Sequence, residues 1–169
     1  MIRKNILALG FTALLAPFNI ALLSFFIIDH SSIWVPFIFF FLLPWTIILP
    51  FVRGYNVQKE FRVPVTFIIC LSFIAGTILM DGYSRIFGII YTLNAAIAAI
   101  TTMKKKISLH AFGIAGPACF LLFFNPLASM ILFLLLPVVW WARYKLSAHS
   151  LNELMWGTLY GSLTFIWLM

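Results

Sequence analysis

Residues 63–102 read VPVTFIICLSFIAGTILMDGYSRIFGIIYTLNAAIAAITT, and Asp81 and Arg85 are the only charges in the whole stretch. Two apolar runs meet at Asp81-Gly82-Tyr83-Ser84. Each has about the length, roughly 20 residues, with which an α-helix crosses the hydrocarbon core of a bilayer. The same alternation of apolar run and polar punctuation extends in both directions. It predicts helices over 5–28, 33–52, 63–80, 85–102, 108–124, 127–142 and 150–168, broken at Asp29-His30-Ser31-Ser32, Arg53 to Arg62, Asp81 to Ser84, Met103 to Lys106, Asn125-Pro126 and Arg143 to His149. Composition agrees: 64% of the 169 residues are hydrophobic, 9% are charged and mean hydropathy is +1.11, where soluble domains carry about a quarter charged residues. At roughly 20 residues per span the chain supplies about six or seven spans and nothing over for a soluble domain. The expected fold is all-α, a polytopic transmembrane helical bundle forming a single integral-membrane domain over 1–169.

Met1 to Lys4 precede a long apolar stretch with no A-x-A-like cleavage site, which predicts a first transmembrane helix rather than a signal peptide. Pro17, Pro36, Pro44, Pro50 and Pro137 lie within or at the ends of spans and predict kinks rather than breaks. Cys70 and Cys119 sit inside apolar runs without CxxC spacing and are read as packing residues. Asn94, alone in its helix, is expected to hydrogen-bond between helices. The tryptophans, Trp140, Trp141, Trp156 and Trp167 among them, suit an interfacial belt and lipid-facing packing.

If the helices alternate across the bilayer, the N-terminus and the second, fourth and sixth loops share one side. That side holds ten of the eleven basic residues, all but Arg85, together with His110, His149, Glu60 and Glu153. A formal charge of +7 gathered at one membrane face suits a phosphate or an anionic lipid. The basic segments lack the aromatic interleaving that would suit nucleic acid. The ionisable groups lie at helix ends rather than at mid-membrane, unlike a transporter built from inverted repeats.

Three loops therefore converge on that face. Lys104-Lys105-Lys106-Ile107-Ser108-Leu109-His110 enters the fifth helix, where Ser108 suits the N-cap and the free N–H groups make an anion site beside the lysines. His110, just inside, is placed to hand a proton to a bound anion. Before the last helix, Arg143 offers a planar fork for two phosphate oxygens. His149 and Glu153 are four apart, so on a helix they share a face, and the carboxylate can fix the ring tautomer while the other nitrogen stays free. Gln58-Lys59-Glu60-Phe61-Arg62-Val63-Pro64 adds Lys59 and Arg62, with Pro64 in a first helical turn.

These residues resemble the type 2 phosphatidic acid phosphatase superfamily of integral-membrane lipid phosphate phosphatases. Its motifs are Lys-x6-Arg-Pro, Pro-Ser-Gly-His and Ser-Arg-x5-His-x3-Asp. Ser108-Leu109-His110 matches Ser-x-His of the second. Arg143-x5-His149-x3-Glu153 matches the third, with Glu for Asp and Ala142 for Ser. Ile107 and Leu109 replace Pro and Gly in a form similar to that of some prokaryotic members, which implies a multi-pass protein of a prokaryotic cell membrane. In the first motif Arg62 and Pro64 are separated by Val63, and either Lys59 or Lys106 supplies its lysine. Gly157 and Gly161 look like the small residues that follow the third motif and let helices approach closely.

The resemblance implies attack on phosphorus by His149 through a phosphohistidine, with Glu153 orienting it and His110 protonating the leaving oxygen. Arg143, Ser108, Lys106, Arg62 and Lys59 then cradle the phosphate. No metal or other cofactor is implied, because fixed cations neutralise the charge. The implied substrate is a lipid phosphate monoester or diphosphate: a polyprenyl diphosphate, phosphatidic acid, phosphatidylglycerol phosphate or a lipid A phosphate. The positive-inside rule places the basic face in the cytoplasm, whereas many members of the family act on the outer face. The competing readings are a zinc site from His110, His149 and Glu153, which the surrounding Lys and Arg would repel, a haem held between His110 and His149, and a non-enzymatic accessory subunit whose basic face docks a partner or anionic lipid.

Overall fold

The computed structural model of the protein describes residues 3–29, 33–53 and 56–168, and within them the side chains of all but residues 3–5, 53, 56, 59, 165 and 168. His30, in the first predicted break, lies outside the described residues. The fold is all-α: α1 (Arg3–Leu14), α2 (Pro17–Ile28), α3 (Trp34–Phe51), α4 (Arg62–Ile78), α5 (Gly82–Lys104), α6 (Leu109–Leu121), α7 (Pro126–Lys145), α8 (Leu151–Ser162) and α9 (Thr164–Leu168). Between α3 and α4, Val52 pairs with Val57 and Arg53 with Asn56 in a short antiparallel ladder.

Each predicted apolar segment is helical, but the first and last are broken. Pro17 does more than kink its helix. With no N–H to donate and a ring that crowds the preceding turn, it ends α1, and α2 leaves at 44°. The side chain of Asn19 donates to the Ala13 and Leu14 carbonyls freed at the break, at 2.9 Å each. Pro36, Pro44 and Pro50 stay within the continuous α3, which carries a π-helical stretch over Phe37–Leu42. Wider turns of that kind absorb irregularities in the hydrogen-bond ladder. Pro137 lies inside α7 as expected, and Pro117, not foreseen, inside α6.

Trp34–Phe51, Gly82–Lys104 and Pro126–Lys145 are long and apolar enough to cross a membrane, and the bent pair α1–α2 makes a fourth if counted as one span. Arg62–Ile78 and Leu109–Leu121 are apolar but shorter. The outward faces carry large apolar side chains, among them Phe67, Leu71, Leu127 and Leu134. A surface of this kind suits lipid contact rather than water.

At the centre stands α6, buried at every position from Ala111 to Leu121. A helix that is apolar all round belongs inside, and its small residues bring neighbours close. A methyl group at Gly113 would lie 2.5 Å from Pro17, so α2 packs against bare backbone there. A second core is aromatic, with Phe40 stacked on Phe73 at 4.6 Å and Phe25 edge-on to Phe87 at 4.7 Å. Asn94 is buried as a helix-to-helix link: it donates to Thr164 and accepts from Trp167 Nε1 at 3.0 Å.

Candidate functional site

Two helix starts and one helix end build the site. Ser108 caps α6, its hydroxyl accepting from Ala111 N at 3.4 Å, while its own N–H donates to the Glu153 carbonyl at 3.0 Å. That second bond ties the start of α6 to the start of α8. Gly157 permits the approach: a Cβ there would fall 2.3 Å from the Ser108 carbonyl oxygen, and one at Gly161 would fall 2.6 Å from that of Phe112. Main chain cannot move aside as a side chain can. Gly157→Ala is therefore expected to push α8 off α6 and cost about 1–3 kcal/mol, seen as a lowered thermal unfolding midpoint. An unchanged midpoint would show that the two helices are not held by this contact.

The end of α7 aims His149. Ala148 N donates to Arg143 O at 3.1 Å and Ser147 N to Tyr144 O at 2.9 Å, the paired closure of a Schellman turn. The left-handed position falls on Ser147, at φ 52°, where glycine is the usual occupant. The chain then turns directly into α8.

His149 and Glu153 meet, though not for the reason their spacing suggests. His149 precedes the helix and shares no face with Glu153. Ser150 is the N-cap of α8 and Glu153 its third residue, so the carboxylate folds back over the helix start in a capping box. Its Oε2 accepts from Ser150 N at 3.2 Å and from His149 Nδ1 at 2.9 Å. The ion pair from Lys106 Nζ, at 3.2 Å, falls on the same oxygen. A carboxylate can only accept, so Nδ1 carries the proton and Nε2 keeps its lone pair.

The His149 side chain is 7% exposed. Burial, and then the charge of Arg143, hold its ring well below the usual histidine range, against the upward pull of the Glu153 hydrogen bond. The fold thus favours the neutral ring. A histidine ring NMR titration is expected to find His149 still neutral at pH 6, whereas a free histidine is then largely protonated. Because the unfolded chain takes up that proton below about pH 6.5 and the folded chain does not, this group opposes folding as the pH falls further. A midpoint at or above 6.5 would contradict the burial argument.

His110, His149, Arg143 and Arg62 line one cavity of about 300 Å³. Arg143 is almost wholly buried, and its charge reaches both histidines. Thr12, on α1, lines the same cavity as His110. Most of the remaining wall is apolar and includes Cys70, Phe73 and Ala95.

Two of the other expected cradle residues do not line this cavity. Lys106 is absent from the cavity wall. It binds Glu153 and donates to the Ala148 carbonyl at 2.8 Å, bracing the loop that carries His149. Ser108 is fully buried in its cap. The side chain of Lys59 lies outside the described residues. Thr12 was not anticipated: it lines the cavity, and among the described residues its buried hydroxyl finds no hydrogen-bond partner. One threonine in an uncharged apolar run gives a reader of the sequence no signal. No three His, Cys, Asp or Glu side chains among the described residues gather closely enough to hold a metal ion. Compared with family models, curated proteins and solved structures, the chain has no match.

The arrangement offers an anion two guanidinium groups, a neutral histidine with an oriented tautomer and a second histidine on the same cavity. Fixed cations in a dry site stabilise developing negative charge far better than they do in water.

Proposed function

We propose that the protein is a multi-pass membrane phosphatase that removes phosphate from a lipid monoester or diphosphate through a phosphohistidine. One observation carries the reading: His110, His149, Arg143 and Arg62 line a single cavity whose remaining wall is mostly apolar. A phosphate fits the cationic end and a hydrocarbon tail the rest. The reading agrees with the resemblance of the motifs to the type 2 phosphatidic acid phosphatases.

Nε2 of His149 attacks phosphorus and forms the P–N bond as the bond from phosphorus to the lipid oxygen breaks. His110, charged as imidazolium once the doubly negative phosphate sits beside it, gives that oxygen its proton and is left neutral. Water then attacks the phosphohistidine with His110 as base, releasing inorganic phosphate and returning His149 to its starting state. Glu153 stabilises the positive charge that grows on the His149 ring. Arg143 and Arg62 neutralise the phosphate oxygens, and Lys106 and Ser108 hold the two helix starts in place.

Purified protein in lipid nanodiscs is expected to release phosphate from lipid phosphates in the presence of EDTA and to be inhibited by vanadate. Vanadate adopts the five-coordinate geometry of phosphoryl transfer and so occupies the site as the transition state does. Activity lost on chelation and restored by Zn²⁺ or Mg²⁺ would replace this mechanism with a metal-assisted one.

A further inference from the structure

On the phosphatase reading above, we infer that the cavity measures a single hydrocarbon tail, accepting about ten to fourteen carbons before a floor formed by Phe73 and Tyr91 stops it. Along α4 the wall is made by Arg62, Val65, Thr66, Ile69, Cys70 and Phe73. These positions, spaced alternately by three and by one, form a single helical stripe that runs from a cation to an aromatic ring. At about 1.5 Å of rise per residue the stripe is about 16 Å deep. An extended chain advances about 1.1–1.2 Å per bond, so about fourteen bonds reach the floor. The volume sets the lower figure. A cavity of about 300 Å³ holds roughly ten groups of the size of water, at about 30 Å³ each.

The floor is held on several sides. Tyr91 donates its hydroxyl proton to the Pro17 carbonyl at 3.1 Å, and its ring lies 5.5 Å from that of Phe73. Behind Phe73 lies the stacked ring of Phe40. The α5 wall, by contrast, is made of Ala95 and Ala98 between Tyr91 and the cationic end, and these small side chains leave the room that a tail takes up. Polarity falls from one end of the stripe to the other, which fixes the orientation of the occupant, with phosphate at Arg62 and the methyl end at Phe73.

The test is a series of n-alkyl phosphates from four to eighteen carbons, hydrolysed by the protein in nanodiscs. Alongside it, the unhydrolysable n-alkyl phosphonates are read by the shift they give in thermal unfolding. The specificity constant and the phosphonate affinity are expected to rise up to about fourfold per carbon, then to stop rising between about ten and fourteen carbons. Partition into the bilayer alone rises with every carbon and shows no break. Ala95→Phe should bring the break to shorter chains, and Phe73→Ala should move it to longer ones. If either variant fails to fold, the other carries the comparison.

A series without a break, or a break that stays in place in the folded variants, overturns the inference even if every phosphate is hydrolysed. A break that moves with the variants in phosphonate binding, with no phosphate hydrolysed, supports the tail site and removes the phosphatase reading.

Discussion

Replacing His149 by alanine is expected to lower phosphate release by about 10⁴–10⁶-fold, the scale seen when a covalent nucleophile is deleted. Among the described residues the wall offers no second histidine free for the role. Arg143 and Arg62 hold no usable lone pair at neutral pH, and His110 is needed as the proton donor. Glu153→Gln should be milder, with a loss of about 10²–10⁴-fold, because the nucleophile survives but its tautomer is no longer enforced. A glutamine amide can donate to Nδ1 and so favour the ring form whose proton sits on Nε2. The same substitution removes the ion pair with Lys106, so circular dichroism and thermal unfolding must accompany the rates. Phosphate release by His149→Ala within a few fold of the unsubstituted protein would leave the accessory-subunit reading ahead.

His110→Ala is expected to divide substrates by their leaving group. An alkoxide must be protonated as it departs, and loss of a placed acid costs about 10²–10⁴-fold. A p-nitrophenolate leaves without a proton, so turnover of p-nitrophenyl phosphate should be nearly unaffected at the bond-breaking step. The comparison separates chemistry from damage: a collapsed cavity would slow both substrates alike, and that result would remove His110 from the role of acid.

The helical segments were legible because each is an apolar run bounded by charge, Gly or Asn-Pro, and a bilayer demands little more than length. Pro17 shows where that reading stops. A proline in an apolar run announces a disturbance, but its outcome here depends on Asn19 holding the loose carbonyls and on Gly113 admitting the ring, and both are tertiary facts. The site divides in the same way. The spacing of Arg143, His149 and Glu153 is readable, and it leads to the right pair through the wrong geometry, since a capping box rather than a helix face joins His149 to Glu153. Lys106 and Ser108 were read as phosphate ligands because charge and a helix start suggest an anion site. In the structure Lys106 holds Glu153 and the Ala148 carbonyl and Ser108 caps α6, while the cavity is lined by residues drawn from helices distant in sequence. The part played by α1 could not be read at all, because the apolar run that follows Arg3 and Lys4 carries no mark of which face it turns to a cavity.

The left-handed turn at Ser147 gives the interval between Arg143 and His149 a physical meaning. Arg143 supplies the carbonyl that receives the last returning N–H of its helix, from Ala148. That ring closes over a set number of residues, so the first residue past it is always the sixth from the arginine. What reads in the sequence as a catalytic signature is thus also the stride of a helix stop. The guanidinium and the imidazole are two ends of one rigid gauge, set by backbone hydrogen bonds before any ligand arrives. A residue inserted anywhere within it would leave both side chains intact and still separate them, so the interval rather than the loop sequence is what sets their distance.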